Sequence, residues 1–280
     1  SGDDNVAVEI SPLGPALGAV VHGIDARDPL DADTADALRR AYDEFHLLRF
    51  PDQHLTPAEQ ERFVATFGPV IDDLADGNLT GIISNVIADK AGSGPLPFHA
   101  DYSFTPLPVQ GIALYAVDLP PQGTSTCFAN GARAAETLPA DLRRAAEHRH
   151  AVHALGVFAT GSEGARSRDH DLPPEAPRHA HPVLRTSPRT GVEVLFLTDL
   201  HAESIDGLDP EEGAALIEAL LAHLYRPEHC HEHRWTLHDL VVWDNQVLQH
   251  MRHDVSAEVP RTFHRNTLHT ARWIELVPMW

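Results

Sequence analysis

Short apolar runs, cut at close intervals by glycine and proline, constrain this chain more than any other feature. GIALYAVDL (111–119), STCFAN (125–130) and the two runs of HPVLRTSPRTGVEVLFL (181–197) have strand length, and PPQG and SPRTG supply turns between them. Val6 to Ile10, Gly18 to Ile24 and LLRF (47–50) add strand character near the start. HRWTLHDLVVWDNQ (233–246) and RTFHRNTLHTARWIEL (261–276) alternate strand and turn near the end. Helices are fewer. One is capped at Asp33 or Thr34 and carries Ala37, Leu38, Ala41, Tyr42 and Phe45 at helical spacing. Another starts at Thr56-Pro57-Ala58-Glu59, with a Thr cap, Pro in the first turn and Glu three residues on, and stops at Gly68. Leu138 to His148 and Asp209 to Tyr225 read as two more. Strands in this number, flanked by few helices, predict a mainly β fold of the sandwich or jelly-roll kind. Residues 72–98 read as loop around the run GIISNV, and Thr160 to His181, rich in charge, Gly and Pro, as a long loop of lid type.

No repeat and no linker divides the chain, so residues 1–280 are expected to form one domain with a full core, 42% of the residues being hydrophobic. The formal charge of −20 argues against a nucleic-acid partner, whose phosphates need Lys and Arg. Cys127 and Cys230 are too few for a disulfide framework, and no run is long enough to span a membrane. A cytoplasmic protein that acts on a small molecule is expected, with a homo-oligomer left open. Ser1-Gly2 without a Met reads as a processing scar.

The chemistry-bearing motif is His99-Ala100-Asp101 in FHADYSF, taken with His250 in WDNQVLQH. On a strand, residues two apart share a face, so an HxD pair would present an imidazole and a carboxylate together. A second imidazole from a distant strand would complete the 2-His-1-carboxylate set of non-heme Fe(II) oxygenases, which leaves positions open for co-substrate and O2. Alone, an HxD is an expected accident in a chain with 20 histidines. Arg261 and Arg265 follow in PRTFHRNTLH, four apart and so on one face of a strand, where guanidinium groups can grip carboxylates.

Taken together, PLGPALGAVVHGID, FPDQHLTPAEQERFVATFG, the HAD triplet, GTSTCFAN, HPVLRTSPRTGVEVLF and WDNQVLQH with PRTFHRNTL resemble the Fe(II)- and 2-oxoglutarate-dependent dioxygenases related to taurine and 2,4-dichlorophenoxyacetate dioxygenases. The resemblance covers nearly the whole chain and implies a double-stranded β-helix, or jelly roll. It implies that His99, Asp101 and His250 hold iron. Arg261, eleven residues after His250, would pair with the distal carboxylate of 2-oxoglutarate, and Thr126 would also contact it. Arg265 would face an anionic substrate or lie near the co-substrate. The implied reaction uses O2 to split 2-oxoglutarate into succinate and CO2 while a C–H bond of a small, anionic organic molecule is hydroxylated, with loss of sulfite, sulfate or an aryl group where the product collapses. A step in a natural-product pathway fits equally. Family members that halogenate lack the carboxylate, so Asp101 favours oxygen insertion. Phe98 stands where a Trp is common, and Thr124-Ser125 where Gly-Asp is usual.

Each residue also has a plainer reading. Thr126 could be an ordinary strand threonine and Arg261 a surface ion-pair residue. The run His229-Cys230-His231-Glu232-His233 reads first as a solvated rim and second as an adventitious metal site, and His201-Ala202-Glu203 is a weak rival triplet in a loop. His253, His264 and His269 read as structural, and Trp243 and Asn245 as braces for the His250 strand. The alternative to an enzyme is a non-catalytic metal-binding or sensor protein on the same barrel.

Overall fold

A computed structural model describes residues 7–73, 75–87, 94–253 and 259–270. The major sheet has eight strands, in the order Glu9–Pro12, Ala19–His22, Leu47–Phe50, Leu240–Asp244, Gly111–Asp118, Thr262–Leu268 and Val70–Ile71, with Gly81–Ser84 also on Thr262–Leu268. The minor sheet runs Cys230–Arg234, Ser125–Asn130, Leu248–Arg252, Leu96–His99. Ala19–His22 and Leu47–Phe50 pair in parallel, which a hairpin cannot achieve. The helix Ala32–Phe45 supplies the crossover.

The unbroken apolar run at 240–243 records burial on both faces. Val241 and Trp243 join Leu114, Ala116, Phe128, Leu248 and Phe263 in the space between the sheets. Leu240 and Val242 point the other way, onto Leu38 and Tyr42 of the first helix and Phe63 and Val64 of Pro57–Val64. Alternation along one strand thus fills two layers of core, in the jelly-roll arrangement expected. The helix Pro210–Leu224 packs Ile217, Leu220 and Leu224 on Leu195 and Leu197 in a third cluster.

The capping box at Thr56 forms as read, with the Glu59 N–H donating to Thr56 Oγ1 and the Thr56 N–H to Glu59 Oε2. The first helix starts two residues before a cap at Asp33 would place it and three before one at Thr34. Asp31 caps it by accepting from the Thr34 N–H, because Asp31 is the residue still in extended conformation. Gly131–Glu136, capped by Asn130, is a helix the apolar spacing did not announce, and Ala140–Ala146 replaces the longer one expected from 138. The long loop after Thr160 ends early, since Arg178–Pro182 pairs with His150–Ala154 as a strand. The hairpin around SPRTG forms, joining Leu184–Thr186 to Glu193–Leu195. The first strand runs from Glu9, and Val6 and the reading of Ala271 to Leu276 lie outside the described residues.

The run at 229–233 is corrected from a solvated rim to the edge strand of the minor sheet. His229 and His233 are buried, with His229 bonded to Thr137 Oγ1 and the His223 carbonyl oxygen.

Candidate active site

His99 ends its strand, and Ala100 and Asp101 already belong to the turn that follows. The two side chains therefore do not share a strand face as the HxD spacing suggested. Asn245 sets the turn instead. Its Oδ1 accepts the Asp101 N–H at 2.9 Å, and its Nδ2 donates to the carbonyl oxygens of Asp101 and Val109 at 3.0 Å each. The brace expected of Asn245 is thus a clamp across both ends of the 101–109 loop. Removing it as Asn245→Ala is expected to weaken Fe(II) affinity by about 10–100-fold, the usual effect of losing a group that orients a ligand, while secondary structure is kept. Metal titration beside circular dichroism checks this.

His250 stands directly across from His99 in the ladder between their strands. Its ring lies 4.2 Å from that of His99, and 5.0 Å from the fully buried Trp243, which packs as expected. The ligand atoms of His99, Asp101 and His250 all fall within 4.8 Å of one another, with Asp101 Oδ1 at 3.2 Å from His99 Nε2 and 3.6 Å from His250 Nε2. Adjacent ligands around a metal with bonds of about 2.1 Å are about 3 Å apart.

The proton arrangement fits a cation. His99 Nδ1 lies 2.8 Å from the Pro97 carbonyl oxygen, which can only accept, so the ring proton sits on Nδ1 and the Nε2 lone pair faces the carboxylate. His250 is neutral, its pKa pushed down to about 3 by burial. Burial alone would raise the Asp101 carboxyl, yet it is held well below the usual carboxylate range, with the Arg265 guanidinium against its second oxygen. A lone pair aimed at an ionised oxygen at this distance repels it unless a cation lies between them. The donor set suits iron(II).

The opposite wall belongs to the arginine strand, Thr262–Leu268, and to Arg261 just before it. Phe263 is packed in the interior, and the Arg261 guanidinium lies over its ring at 4.4 Å. Arg261 is 5% exposed and donates from Nε to Thr124 Oγ1 at 3.2 Å. Burial, with Arg252 nearby, pushes its pKa down to about 9, and no carboxylate among the described residues offsets this. Thr126, also buried, accepts from the Trp235 indole N–H at 2.9 Å and keeps its own hydroxyl proton to give. Thr124, met in the sequence only as a departure from a familiar turn, is thereby a polar neighbour of Arg261.

Arg265 is placed quite differently. It forms a close ion pair with Asp73 and donates from Nη2 to Asp101 Oδ2 at 2.8 Å. Asp73 was not a sequence candidate. It lies two residues past Ile71, which pairs with Thr267, so the antiparallel ladder continued would put it opposite Arg265. The strand that carries this register is Val70–Ile71 alone, too short to announce itself.

The rival motifs come apart. His201 bonds Ser103 Oγ at 2.9 Å and abuts the His99 ring, while Glu203 pairs with Arg178. His269 holds the Leu107 carbonyl oxygen, and His264 lies beside the Tyr115 ring. Cys127, Glu232 and His253 also bring ligand atoms within 4.8 Å, but Glu232 and His253 are exposed.

A jelly roll that keeps two imidazoles, a carboxylate and an arginine without a carboxylate partner among the described residues in one buried interior has the layout of the Fe(II)- and 2-oxoglutarate-dependent oxygenases. Comparison with known proteins narrows this. The model of the taurine catabolism dioxygenase TauD, TfdA family matches residues 9–267, and the chain belongs to that family. It is 34% identical over 260 residues to the (S)-phenoxypropionate/alpha-ketoglutarate-dioxygenase of Sphingobium herbicidovorans, covering 87% of this chain and 88% of the relative. It is 30% identical to the alpha-ketoglutarate-dependent 2,4-dichlorophenoxyacetate dioxygenase of Cupriavidus pinatubonensis, covering 90% and 95%. Among solved structures, AAD-2 in complex with Mn(II) and N-oxalylglycine superposes with a TM-score of 0.78 at 28% identity, covering 94% of this chain and 97% of that one. The chain is accordingly a dioxygenase that uses Fe(II), 2-oxoglutarate and O2.

Proposed function

We propose that His99, Asp101 and His250 hold the iron and that Arg261, with Thr126 and Thr124, receives the distal carboxylate of 2-oxoglutarate. The observation that carries the second half is Arg261, a buried cation with the Thr124 hydroxyl as its neighbour and no carboxylate beside it among the described residues. A charge kept out of water without a partner is costly, and an incoming dicarboxylate offsets that cost. The Thr126 O–H is free to donate to the same carboxylate.

Iron held by His99, Asp101 and His250 would supply O2 activation, with oxidative decarboxylation of 2-oxoglutarate coupled to hydroxylation of a substrate C–H bond. The chain's own residues orient and enclose. Pro97 fixes the His99 tautomer, Asn245 fixes the Asp101 turn, and Phe128, Trp243 and Phe263 exclude water. Arg265, grouped with the co-substrate contacts by resemblance, is read here as a positioning residue that holds the second oxygen of Asp101. The substrate is a small organic molecule handled within one domain. We place the reaction in the cytoplasm on the strength of two unpaired cysteines, and no helix among the described residues is long and apolar enough to cross a membrane.

Mixing the protein with Fe(II) and 2-oxoglutarate without O2 tests the reading. The weak visible charge-transfer band of the chelate is expected, saturating at one equivalent of metal. Folded protein that gave no band would point to the sensor alternative.

A further inference from the structure

Two arginines four residues apart on one strand face have opposite surroundings, and the difference bears on the substrate. Arg261 meets the Thr124 hydroxyl and another arginine, Arg252. Arg265 meets two carboxylates and is thereby held above the ordinary arginine range although burial works against it. It lies directly behind a proposed metal ligand, since Asp101 turns Oδ1 to the histidines and Oδ2 to Arg265. A guanidinium there would be a natural receptor for a substrate carboxylate, sulfonate or sulfate. In this chain its charge is already matched. Asp73 is only 6% exposed and is fixed from three sides, by Arg265, by the Thr267 hydroxyl at 2.8 Å and by the Tyr102 hydroxyl at 3.4 Å.

We infer that Asp73 sets substrate charge: by closing Arg265 to anions, it selects a substrate whose end nearest Arg265 is uncharged. A hydroxyl or an amide N–H fits, because the hydrogen bonds to Asp73 among the described residues all run to Oδ2, leaving Oδ1 to accept from a substrate O–H or N–H. Compared with a neutral residue at position 73, the Asp73 carboxylate would disfavour an anion about 5 Å away by on the order of a hundredfold at an effective dielectric of about 20. The inference rests on the dioxygenase site proposed above. It confines any negative charge on the substrate to a part remote from Arg265.

A matched pair of probes tests it, 2,4-dichlorophenoxyacetate and the corresponding alcohol, 2,4-dichlorophenoxyethanol, titrated calorimetrically into protein loaded with Mn(II) and N-oxalylglycine. Loading is measured first, so a failure of the site itself shows there and is not confused with a failure of selectivity. Wild-type protein is expected to bind the alcohol at least as tightly as the acid. Asp73→Asn is expected to gain roughly tenfold or more on the acid relative to the alcohol, as a share of the repulsion is lifted. Damage to structure alone would weaken both probes together and leave their ratio unchanged. Asp73→Ser serves if the first variant does not fold. A wild-type protein that prefers the acid by more than about tenfold, or a folded Asp73 variant with no gain on the acid, undetectable binding of both probes included, overturns the inference.

Discussion

Asp101→Ala is expected to lower turnover by roughly a thousandfold or more, because a metal's contribution of about 4 kcal/mol converts at about 1.4 kcal/mol per decade of rate. His99→Ala is expected to do the same. Succinate release at saturating Fe(II) and 2-oxoglutarate reads the effect, and iron content should fall with it. The fold should survive the loss of Asp101. Arg265 keeps Asp73 as its partner, so the substitution leaves no buried cation alone. A thermal transition near that of the wild type would therefore accompany the collapse in rate. An Asp101→Ala protein that kept full turnover would remove this carboxylate from the proposed ligand set.

Arg261→Ala should act on a different quantity. Losing one partner of a buried charge pair costs about 2–5 kcal/mol, so the apparent affinity for 2-oxoglutarate should weaken by roughly thirtyfold or more. Iron binding should change little. The free protein should respond in the opposite sense. Arginine is a base, and its folded pKa lies near 9 against an ordinary 12.5, so the folded state releases the proton first. Stability from this group thus rises as pH climbs from about 9 toward 12.5, and the full penalty is present below that window. At neutral pH, Arg261→Met, which keeps the stem and drops the charge, is expected to melt above the wild type without co-substrate and to gain less on its addition. Unchanged 2-oxoglutarate affinity in either variant would show that the carboxylate is held elsewhere.

The sequence was readable where a single strand or cap carries the signal. The run at 240–243, the Thr56 capping box and the SPRTG hairpin are local patterns, and each formed where expected. His99, Asp101 and His250 were legible as donor types and do converge, though through the Asn245 clamp rather than strand alternation. What escaped depends on distant partners. Asp73 matters because a two-residue strand sets it opposite Arg265, and one more acidic residue in IDDLADG gives no hint of that. Gly131–Glu136 was missed because its cap, Asn130, ends a strand already counted. The expected rim at 229–233 failed for a related reason. Pairing with Ser125–Asn130 buries His233, which looks solvent-bound when read alone.

The central pairing of Leu47–Phe50 with Leu240–Asp244 has a cost in time. Arg49 and Asp239, hydrogen-bonded at one end of that seam, are separated by 190 residues. At about 5–20 residues per second, a ribosome makes the later strand roughly 10–40 s after the earlier one. Throughout that interval the emerging chain presents LLRF with one edge bare, and the helices beside it can shelter its face but not its open hydrogen bonds. Safe production of this enzyme is thus a matter of elongation speed and of whatever guards the nascent chain, well before any metal is met.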